Sequence, residues 1–303
     1  MRIILAGGTG MRGKALAFDF LKDGQEVVIL SRYPERHRGA FPSGISLVQW
    51  DGRTLGEWTR FIAGCDVIVN LVGENLGAKR WTKTRKKQIL DSRVLPGKAL
   101  TEAIQAATAK PKVFIQSSAI GFYGPRGDEE LSEESAPGTD FQSRVCMEWE
   151  RATEAVSALG VRRVIVRDAV VLDKHEGALP RMVMPFRFFV GGPLGNGRQW
   201  FSWIHHRDDV RAIRFLIDKE SASGVYNLSA PNPCRNKDFA RMIGRILRRP
   251  ALIPVPGIVL RILFGEMSTV LLDGQKVMPA RLLSEGFMFQ FPDTESALKD
   301  IYS

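Results

Sequence analysis

The stretch "GGTGMRG" at residues 7–13 follows the apolar run "RIILA" at 2–6 and decides the fold. Its glycines at positions 7, 10 and 13 have the spacing of a dinucleotide-binding turn. Such a turn brings backbone N–H groups onto a diphosphate at the start of a helix. The sequence therefore predicts a buried strand, a tight turn and a phosphate-facing helix in that order.

The same stretch also nearly matches a P-loop, because Gly8, Gly13 and Lys14 have the spacing of that motif. A P-loop needs Ser or Thr after the lysine, since this hydroxyl binds the magnesium ion on the phosphates. Residue 15 is alanine, and the P-loop interpretation leaves Gly7 and Gly10 without a role. The dinucleotide interpretation accounts for all three glycines, so it is favoured over a P-loop phosphotransferase, which detectable binding of Mg-ATP would support.

Strands and helices alternate through the first part of the chain, which predicts a doubly wound parallel sheet of the Rossmann type over residues 1–170. A break or kink is expected at Pro96-Gly97. The predicted strands are 2–7, 26–32, 45–51, 66–73, 112–119 and 162–168, and the predicted helices are 11–22, 82–108 and one from the N-cap Asp140 to about 158.

After about residue 170 proline and glycine become frequent, as in "VGGPLGNG" at 190–197. Residues 171–303 are therefore predicted to form a smaller C-terminal lobe. It would include a strand at 224–229, a helix capped by Asn236 and a last segment over 250–300.

Composition excludes several classes of protein. Cys65, Cys146 and Cys234 form no CxxC pair, and the four histidines have no metal-ligand spacing, so we expect reduced thiols and no metal site. No apolar run approaches the ~20 residues of a membrane span. We therefore expect a cytoplasmic protein without membrane association.

The chain has a net charge of +10, and the segment "KRWTKTRKK" at 79–87 concentrates six of its basic residues. This segment is either a docking surface for an acidic partner or the solvated start of a helix. No nucleic-acid-binding signature accompanies it, so nucleic acid is not expected and a protein partner stays open.

Polar residues follow several predicted strands, where ligands of such sheets bind. The end of the second strand separates NAD from NADP, because an NAD site usually has an acid there. This chain has Ser31 and Arg32, whose hydroxyl and guanidinium suit a 2′-phosphate. The sequence thus predicts NADP(H). Arg12 within the turn either adds charge near the diphosphate or points to solvent.

Several motifs extend this pattern along nearly the whole chain: "GGTGxxG", "NLVGEN" (70–75), "SSAIGFYG" (117–124), "MEWE" (147–150), "GGPLGNGRQWFSWIH" (191–205) and "GFMFQFPDTESALKD" (286–300). The chain resembles the extended short-chain dehydrogenase/reductase superfamily, and within it the epimerase-family branch once labelled cell-division inhibitors. The resemblance implies a Rossmann fold, a nicotinamide cofactor and a branch-specific C-terminal segment.

Catalysis in that superfamily uses a Ser or Thr, a Tyr and a Lys, and the resemblance places Ala119, Gln142 and Cys146 at these three positions. None of the three usual catalytic groups is present. Ser118, one residue away, and Tyr123 are the remaining weak candidates. Glu74 and His205 are polar residues expected near the cleft, and His205 is as well suited to bond Asp208 and the lobe backbone.

The resemblance also suggests that Arg93 reaches the ribose or phosphate, unless it forms a salt bridge at the edge of the core, and that backbone groups at Val171 hold the nicotinamide. The predicted cofactor-binding residues are Gly7, Thr9, Gly10, Met11, Arg12, Gly13, Ser31, Arg32, Asp51, Leu71, Val72, Gly73, Arg93, Ser117 and Val171.

Two functions are consistent with these residues. One is an NADP(H)-dependent oxidoreductase or epimerase-like enzyme with an atypical site, which acts on an unidentified small molecule between sheet and lobe. The other is a non-catalytic NADP(H)-binding protein that regulates or contacts a partner. The missing triad favours the second, and the complete lobe favours the first.

Overall fold

Strands and helices alternate through the first part of the chain, as predicted. The computed structural model describes all residues from Met1 to Ser303. Its first elements are β1 (Arg2–Ala6), α1 (Met11–Lys22), β2 (Glu26–Ser31), β3 (Ile45–Gln49), β4 (Val67–Asn70), α2 (Lys83–Ala106) and β5 (Val113–Ala119).

The middle of the chain completes this domain and begins the lobe. Its elements are β6 (Glu130–Leu131), α3 (Phe141–Arg151), β7 (Arg162–Asp168), β8 (Val170–Leu172), α4 (Leu179–Arg187), β9 (Trp200–Phe201), β10 (Trp203–His205), α5 (His206–Asp218) and β11 (Gly224–Leu228). The last part is mostly helical, with β12 (Cys234–Arg235), α6 (Asn236–Leu247), α7 (Gly257–Phe264), α8 (Thr269–Leu272), β13 (Lys276–Val277), α9 (Ala280–Ser284) and α10 (Thr294–Tyr302).

Seven parallel strands form one sheet in the order β11–β7–β5–β4–β1–β2–β3. The strand order reverses between β1 and β4, where Ala6 pairs with Asn70 in register. Open sheets of this kind bind ligands beyond the carboxyl ends of the strands at such a reversal. The topology therefore puts the glycine turn after β1 at the expected binding crevice.

Both faces of the sheet are buried, which explains why its strands read as continuous apolar runs. A cluster of 26 buried residues lies on the face that includes Leu16 and Phe20 of α1. A second cluster of 16 lies on the opposite face with Leu100 and Ile104 of α2. Ile3, Ile4 and Leu5 of β1 are wholly inaccessible to solvent, so the strand before the glycine turn is rigidly held.

Helix α2 continues through Pro96 as a single helix of 24 residues, so the predicted break is wrong. Gly97 lies against the chain after α3, and an added Cβ would be 3.0 Å from Ala152 Cβ. Thr101 donates its hydroxyl to the Gly97 carbonyl at 2.9 Å. Close packing against its neighbours thus overrides the local effect of proline.

Two other predicted helices differ at their ends. Asp140 caps α3 as predicted, accepting from Ser143 N at 2.8 Å, but the helix ends at Arg151 and a 3-10 turn follows over Glu154–Leu159. Asn236 is the first residue of α6 and not its cap, because its side chain accepts instead from the Leu194 N–H at 2.8 Å.

The strand predicted at 224–229 belongs to the main sheet and not to the lobe. As β11 it pairs with β7 in parallel, with Tyr226 opposite Val166. The predicted boundary at residue 170 therefore cuts through the sheet. The lobe has its own core of 12 buried residues, to which α4, α6 and α10 contribute. No helix of the chain is both long and apolar enough to cross a membrane.

Candidate functional site

The glycine turn leaves backbone groups open at the start of α1. Gly7 has φ +77°, and a Cβ there would lie 3.1 Å from Val72 N. A Cβ on Gly13 would lie 2.4 Å from Gly8 Cα, so the helix approaches the turn as only glycine allows. No side chain caps α1, and its first turn contains no acid. The first N–H groups of the helix are thus available to an anion.

A cleft of about 600 Å³ lies beside this turn, at the carboxyl ends of β1, β2 and β4. Nine predicted cofactor residues line it: Gly7, Thr9, Gly10, Ser31, Arg32, Asp51, Leu71, Val72 and Gly73. His37, which lies close to Arg32 in the sequence, also lines the cleft. The sequence did not point to several further lining residues, which come from the loops after β2 and β3 and from α2: Tyr33, Trp50, Gly52, Arg53, Arg85, Gln88, Asp91, Ser92 and Pro96.

Three charged side chains form a row at one wall of the cleft. Glu74 lies between two arginines, 3.6 Å from Arg32 Nη2 and 3.2 Å from Arg85 Nη1. The Arg32 side chain remains 63 % exposed, so it can turn toward a ligand. Arg85 is buried and also donates to the Asn75 carbonyl at 2.7 Å. Glu74 therefore competes with any anionic ligand for Arg32.

Replacing Glu74 by glutamine is expected to strengthen NADPH binding relative to NADH binding. The change removes the carboxylate that holds Arg32 and that would repel a 2′-phosphate. An exposed ion pair is worth about 0.2–1 kcal/mol, so the relative affinity should rise by a factor of roughly 1.4 to 5. Calorimetric titration of Glu74→Gln with both cofactors measures this. A fall in the NADPH preference would show that Glu74 supports the site.

Asp51 lines the cleft, and its carboxylate is already hydrogen-bonded within its own loop. It accepts from Arg53 N at 2.8 Å and from Thr54 N at 2.9 Å, and the Thr54 hydroxyl donates at 2.8 Å. These hydrogen bonds, above all the one from Thr54 N, hold the pKa of Asp51 below its ordinary value. The residue therefore shapes the loop that presents Arg53 and Gly52 to the cleft.

The expectation that Arg12 points to solvent is wrong, because its side chain is only 16 % exposed and its charge is already paired. Its guanidinium forms a buried cluster with two carboxylates, donating to Asp209 from Nε at 2.7 Å and to Asp168 from Nη2 at 2.8 Å. It also donates to Ser117 Oγ at 3.3 Å. Burial lowers the pKa of Arg12, but the two carboxylates outweigh burial and raise it overall. Arg12 is neither at the solvent nor a free charge for a diphosphate.

Three other predicted cofactor residues lie beside this cluster rather than in the cleft. Ser117 is buried and accepts from Arg12. Val171 is buried where β8 pairs with Ile204 of β10. Met11 Sδ lies 3.4 Å from where a Cβ on Gly177 would stand, and the Val171 carbonyl lies 3.7 Å from the same point. Met11 and Val171 thus meet at the loop after β8.

Arg93 is buried below the cleft and forms no salt bridge at the core edge. It donates to the carbonyls of Ile89 at 3.1 Å and Glu74 at 3.0 Å, and its guanidinium lies 4.9 Å from the Trp149 ring centre. Burial lowers its pKa to about 10. A Cβ on Gly73 would lie 3.1 Å from this guanidinium, so Arg93 supports the strand end that lines the cleft.

The three positions of the usual catalytic triad contain no acid or base. Cys146 is 4 % exposed, and burial raises the pKa of its thiol to about 12, so it stays neutral. Ala119 ends β5 without a hydroxyl. Gln142 is partly exposed at the start of α3 and packs against Gly121. A Cβ added to Gly121 would lie 3.3 Å from the Cβ of Gln142.

Ser118 and Tyr123 belong to a buried network and do not face the cleft. Ser118 donates to Glu150 at 2.6 Å, and Glu150 accepts two bonds from Arg167 at 2.9 Å. Arg167 donates to the Tyr123 hydroxyl at 3.1 Å, which donates to Asn227 at 2.7 Å. Burial raises the Tyr123 pKa. Arg167 is paired with Glu150 and not with its chain neighbour Asp168.

His205 does not face the cleft and does not bond Asp208. Its side chain is wholly buried, with Nδ1 accepting from Arg207 N at 3.2 Å, Nε2 3.3 Å from Asp300 and the ring 3.9 Å from that of Phe291. Asp208 instead accepts from the N–H groups of Gln290 and Phe291. Burial lowers the His205 pKa from 6.5 to about 4, so the imidazole is neutral at pH 7.

The buried imidazole predicts acid sensitivity. Because the pKa is lower in the folded state, the unfolded state binds more protons between pH 6.5 and about 4, and stability falls as pH drops through this window. The loss would reach up to roughly 3 kcal/mol. Denaturant unfolding of His205→Asn should show a shallower pH slope, and the exposed His175→Asn should keep the wild-type slope. Equal slopes in all three proteins would refute this assignment.

Only some basic residues of segment 79–87 are free of ion pairs within the chain. Arg85 contacts Glu74, Lys86 donates to Glu266 at 2.6 Å and Lys87 donates to Asp91 at 2.6 Å. Trp81 is buried and donates to the Leu76 carbonyl at 3.0 Å. Half of the six basic residues are thus paired within the chain, and a protein partner for the rest stays a prediction.

The sheet order, the glycine turn and the cleft beside it define a Rossmann-type dinucleotide-binding protein. The family model described as the NAD dependent epimerase/dehydratase family matches residues 3–229, and a model for a domain of unknown function matches residues 255–301. The chain belongs to this epimerase/dehydratase family, within the extended short-chain dehydrogenase/reductase superfamily. The family confirms the predicted resemblance and a nicotinamide dinucleotide cofactor.

Relatives match over the whole chain. The epimerase family protein YfhF of Bacillus subtilis is 36% identical over 302 residues, covering 99% of this chain and 98% of YfhF. The structure of human epimerase family protein SDR39U1 (isoform 2) with NADPH has a TM-score of 0.87 and 35% identity, covering 100% of this chain and 99% of the human one. A nucleoside-diphosphate sugar epimerase from Corynebacterium glutamicum has a TM-score of 0.80 and 30% identity, with 58% of that chain covered.

The residues of this chain fit a dinucleotide. A Cβ on Gly13 would collide with the Gly8 backbone, and one on Gly7 would be 3.1 Å from Val72 N, whereas a Cβ on Gly10 would have no atom closer than Gly7 O at 3.7 Å. The turn is therefore closely packed against the protein at Gly7 and Gly13 and open at Gly10, as a bound diphosphate needs. Ser31 and Arg32 line the other end of the cleft. Strand β2 ends at Ser31, so its last residue is not an acid.

Proposed function

We propose that the protein is an NADP(H)-dependent oxidoreductase or epimerase-like enzyme that acts on a small molecule between the sheet and the lobe. The observation that carries this proposal is the cleft itself. It has an open glycine turn at one end and the exposed Arg32 guanidinium at the other, without an acid at the end of β2. The NADPH in the structure of human SDR39U1 supports the same cofactor here.

Each part of the site has a distinct task in this proposal. The backbone of Gly7 to Gly13 holds the diphosphate, and Ser31 and Arg32 hold the 2′-phosphate. Met11 and Val171 border the place of the nicotinamide. When bound, the cofactor supplies hydride transfer. Gln142 occupies the usual tyrosine position, and its amide can orient a carbonyl oxygen by a hydrogen bond but cannot give it a proton. That proton would come from water.

A second cavity, of about 590 Å³, supports an anionic substrate. It lies between the lobe and the loop that contains Pro125, Gly127 and Asp128. Its basic lining residues are Arg198, Lys237 and Arg235, and Arg235 stacks on Trp200 at 4.0 Å. Two acids also line the cavity, Asp128, which contacts Arg235, and Asp273, but neither Arg198 nor Lys237 forms a salt bridge. Two free cations and an indole suit a diphosphate next to a ring. This chemistry agrees with the nucleoside-diphosphate sugar of the Corynebacterium relative's name.

A non-catalytic NADP(H)-binding protein is the second candidate. The specific observation in its favour is that Ala119, Gln142 and the neutral Cys146 occupy the triad positions. Ser118 cannot replace them, because its hydroxyl is donated to Glu150. This protein would change its contacts with a partner on binding NADPH.

Product analysis separates the two candidates. Purified protein with NADPH or NADP⁺ is incubated with carbonyl compounds and nucleoside-diphosphate sugars. NADPH absorbance reports net oxidation or reduction, and NMR in deuterated water reports epimerisation without net cofactor use. Turnover that is lost in Gly13→Ala supports the enzyme. Tight NADPH binding without change in any substrate favours the non-catalytic protein.

A further inference from the structure

The exposed apolar side chains of the protein are concentrated on one side of the lobe. Of sixteen exposed large hydrophobic residues, eleven lie in segments 184–190 and 252–263 or at Val270. Leu252 is 81 % exposed, Phe188 72 % and Ile262 67 %. A concentration of this kind on a folded chain marks a contact surface, because isolated exposed residues would be scattered.

The two segments are joined through their backbones. Ile253 N donates to the Gly191 carbonyl at 3.2 Å, and Val255 N donates to the Pro193 carbonyl at 2.9 Å. Helix α7 begins at Gly257, directly after this hydrogen-bonded segment. Only Leu260 of its eight residues is buried, while Ile258 and Ile262 are both exposed. Segments 184–193 and 252–263 therefore form one region, the apolar surface.

The two segments that form the apolar surface contain arginines and no acidic residue. No acidic residue occurs between Glu176 and Asp208, or between Asp238 and Glu266. Nine exposed arginines lie in these acid-free segments, of which Arg207, Arg241 and Arg245 pair with carboxylates from elsewhere in the chain. Arg198 lines the second cavity, and the other five have no carboxylate within 4.0 Å: Arg181, Arg187, Arg248, Arg249 and Arg261. The Arg249 guanidinium lies 4.5 Å from the Phe189 ring centre, so charge and apolar groups are interleaved.

A second copy of the chain does not fit this surface well. In a symmetric dimer the same patch would face itself, and unpaired arginines would approach arginines without any carboxylate from the segments to separate them. A partner with anionic groups on its surface and an apolar interior matches the combination of unpaired arginines and exposed apolar side chains. Amphipathic segments rich in Arg and bulky apolar residues lie in the headgroup region of anionic bilayers in this way.

We propose that the apolar surface binds the protein peripherally to an anionic membrane. The side chains of Phe188, Leu252, Ile258 and Ile262 enter the headgroup and acyl boundary, and the five arginines contact lipid phosphates. The expectation of no membrane association considered only spanning segments, and a peripheral contact needs none. This binding is independent of the cofactor cleft and of the proposed reaction.

Vesicle flotation tests the proposal with the full chain. The protein is mixed with vesicles of phosphatidylcholine and phosphatidylglycerol in equal parts, or of phosphatidylcholine alone, and the bound fraction is measured. We expect binding to the anionic vesicles only, weakened by added salt. Ile258→Gln with Ile262→Gln, and Arg187→Gln with Arg249→Gln and Arg261→Gln, should each reduce the partition coefficient roughly tenfold or more.

Matched controls carry the same changes elsewhere on the surface. Leu283→Gln with Met288→Gln alters two exposed apolar residues, and Lys22→Gln with Lys98→Gln and Lys110→Gln removes three exposed cations. Both controls should float like the wild type. Absence of binding to anionic vesicles, or equal loss in the controls, would overturn the proposal. So would a dimer in velocity sedimentation that the isoleucine variants dissociate, because the occupant would then be a second copy.

Discussion

Replacing Arg32 by glutamate is expected to abolish the preference of the protein for NADPH over NADH. The change exchanges an exposed guanidinium at the end of β2 for a carboxylate, which repels a 2′-phosphate and can accept from ribose hydroxyls. Loss of a charged hydrogen bond costs about 2–3 kcal/mol, so the relative affinity should shift roughly 30- to 150-fold toward NADH. Titration of Arg32→Glu with both cofactors measures the shift.

Arg60→Glu is the matched control for this prediction. Arg60 is exposed, lies 3.8 Å from Glu57 and does not line the cleft. It should leave both affinities unchanged, apart from a small general effect of charge. If Arg32→Glu keeps the wild-type ratio of the two affinities, Arg32 does not contact the 2′-phosphate, and the NADP(H) assignment loses its main support within this chain.

The second large effect is expected in folding stability, from Arg12→Met. The change leaves Asp168 and Asp209 buried beside each other without their cation. Breaking a buried pair in this way typically costs about 3–5 kcal/mol. Burial and the charge of Asp209 already raise the pKa of Asp168 while Arg12 lowers it. Without Arg12 the pKa rises further, so the loss of stability should be larger at about pH 8 than at about pH 5.

Denaturant unfolding measures this change, with Lys14→Met as control. Lys14 lies on the same helix in an exposed pair with Glu176, and its removal should cost less than about 1 kcal/mol. Adding Asp168→Asn and Asp209→Asn to Arg12→Met should restore part of the stability. Unchanged stability together with lost NADPH binding would show that Arg12 contacts the cofactor, contrary to this account.

The parts of the site that depend on local sequence were predictable. The spacing of Gly7, Gly10 and Gly13 after an apolar strand predicted the turn, since only glycine permits the close approach of Gly13 to Gly8. Ser31 and Arg32 at the end of β2 were identified from position alone. In these cases chain geometry within a few residues fixes the structure.

The parts that depend on distant partners were not predictable. Arg12 pairs with Asp168 and Asp209, which are 156 and 197 residues away. Arg85, Glu74 and Arg32 meet only because α2 returns over the end of β4. β11 was placed in the lobe because the composition changes near residue 170, whereas hydrogen bonding to β7 makes it part of the sheet. Periodicity carries no information about which elements become neighbours in these pairings.

The central claim, that the glycine turn and Arg32 form an NADP(H) site, is tested most directly by calorimetric titration of the wild-type protein with NADPH and with NADH. The account predicts one binding site per chain that prefers NADPH by at least roughly tenfold. Binding of neither cofactor, or equal binding of both, would contradict it.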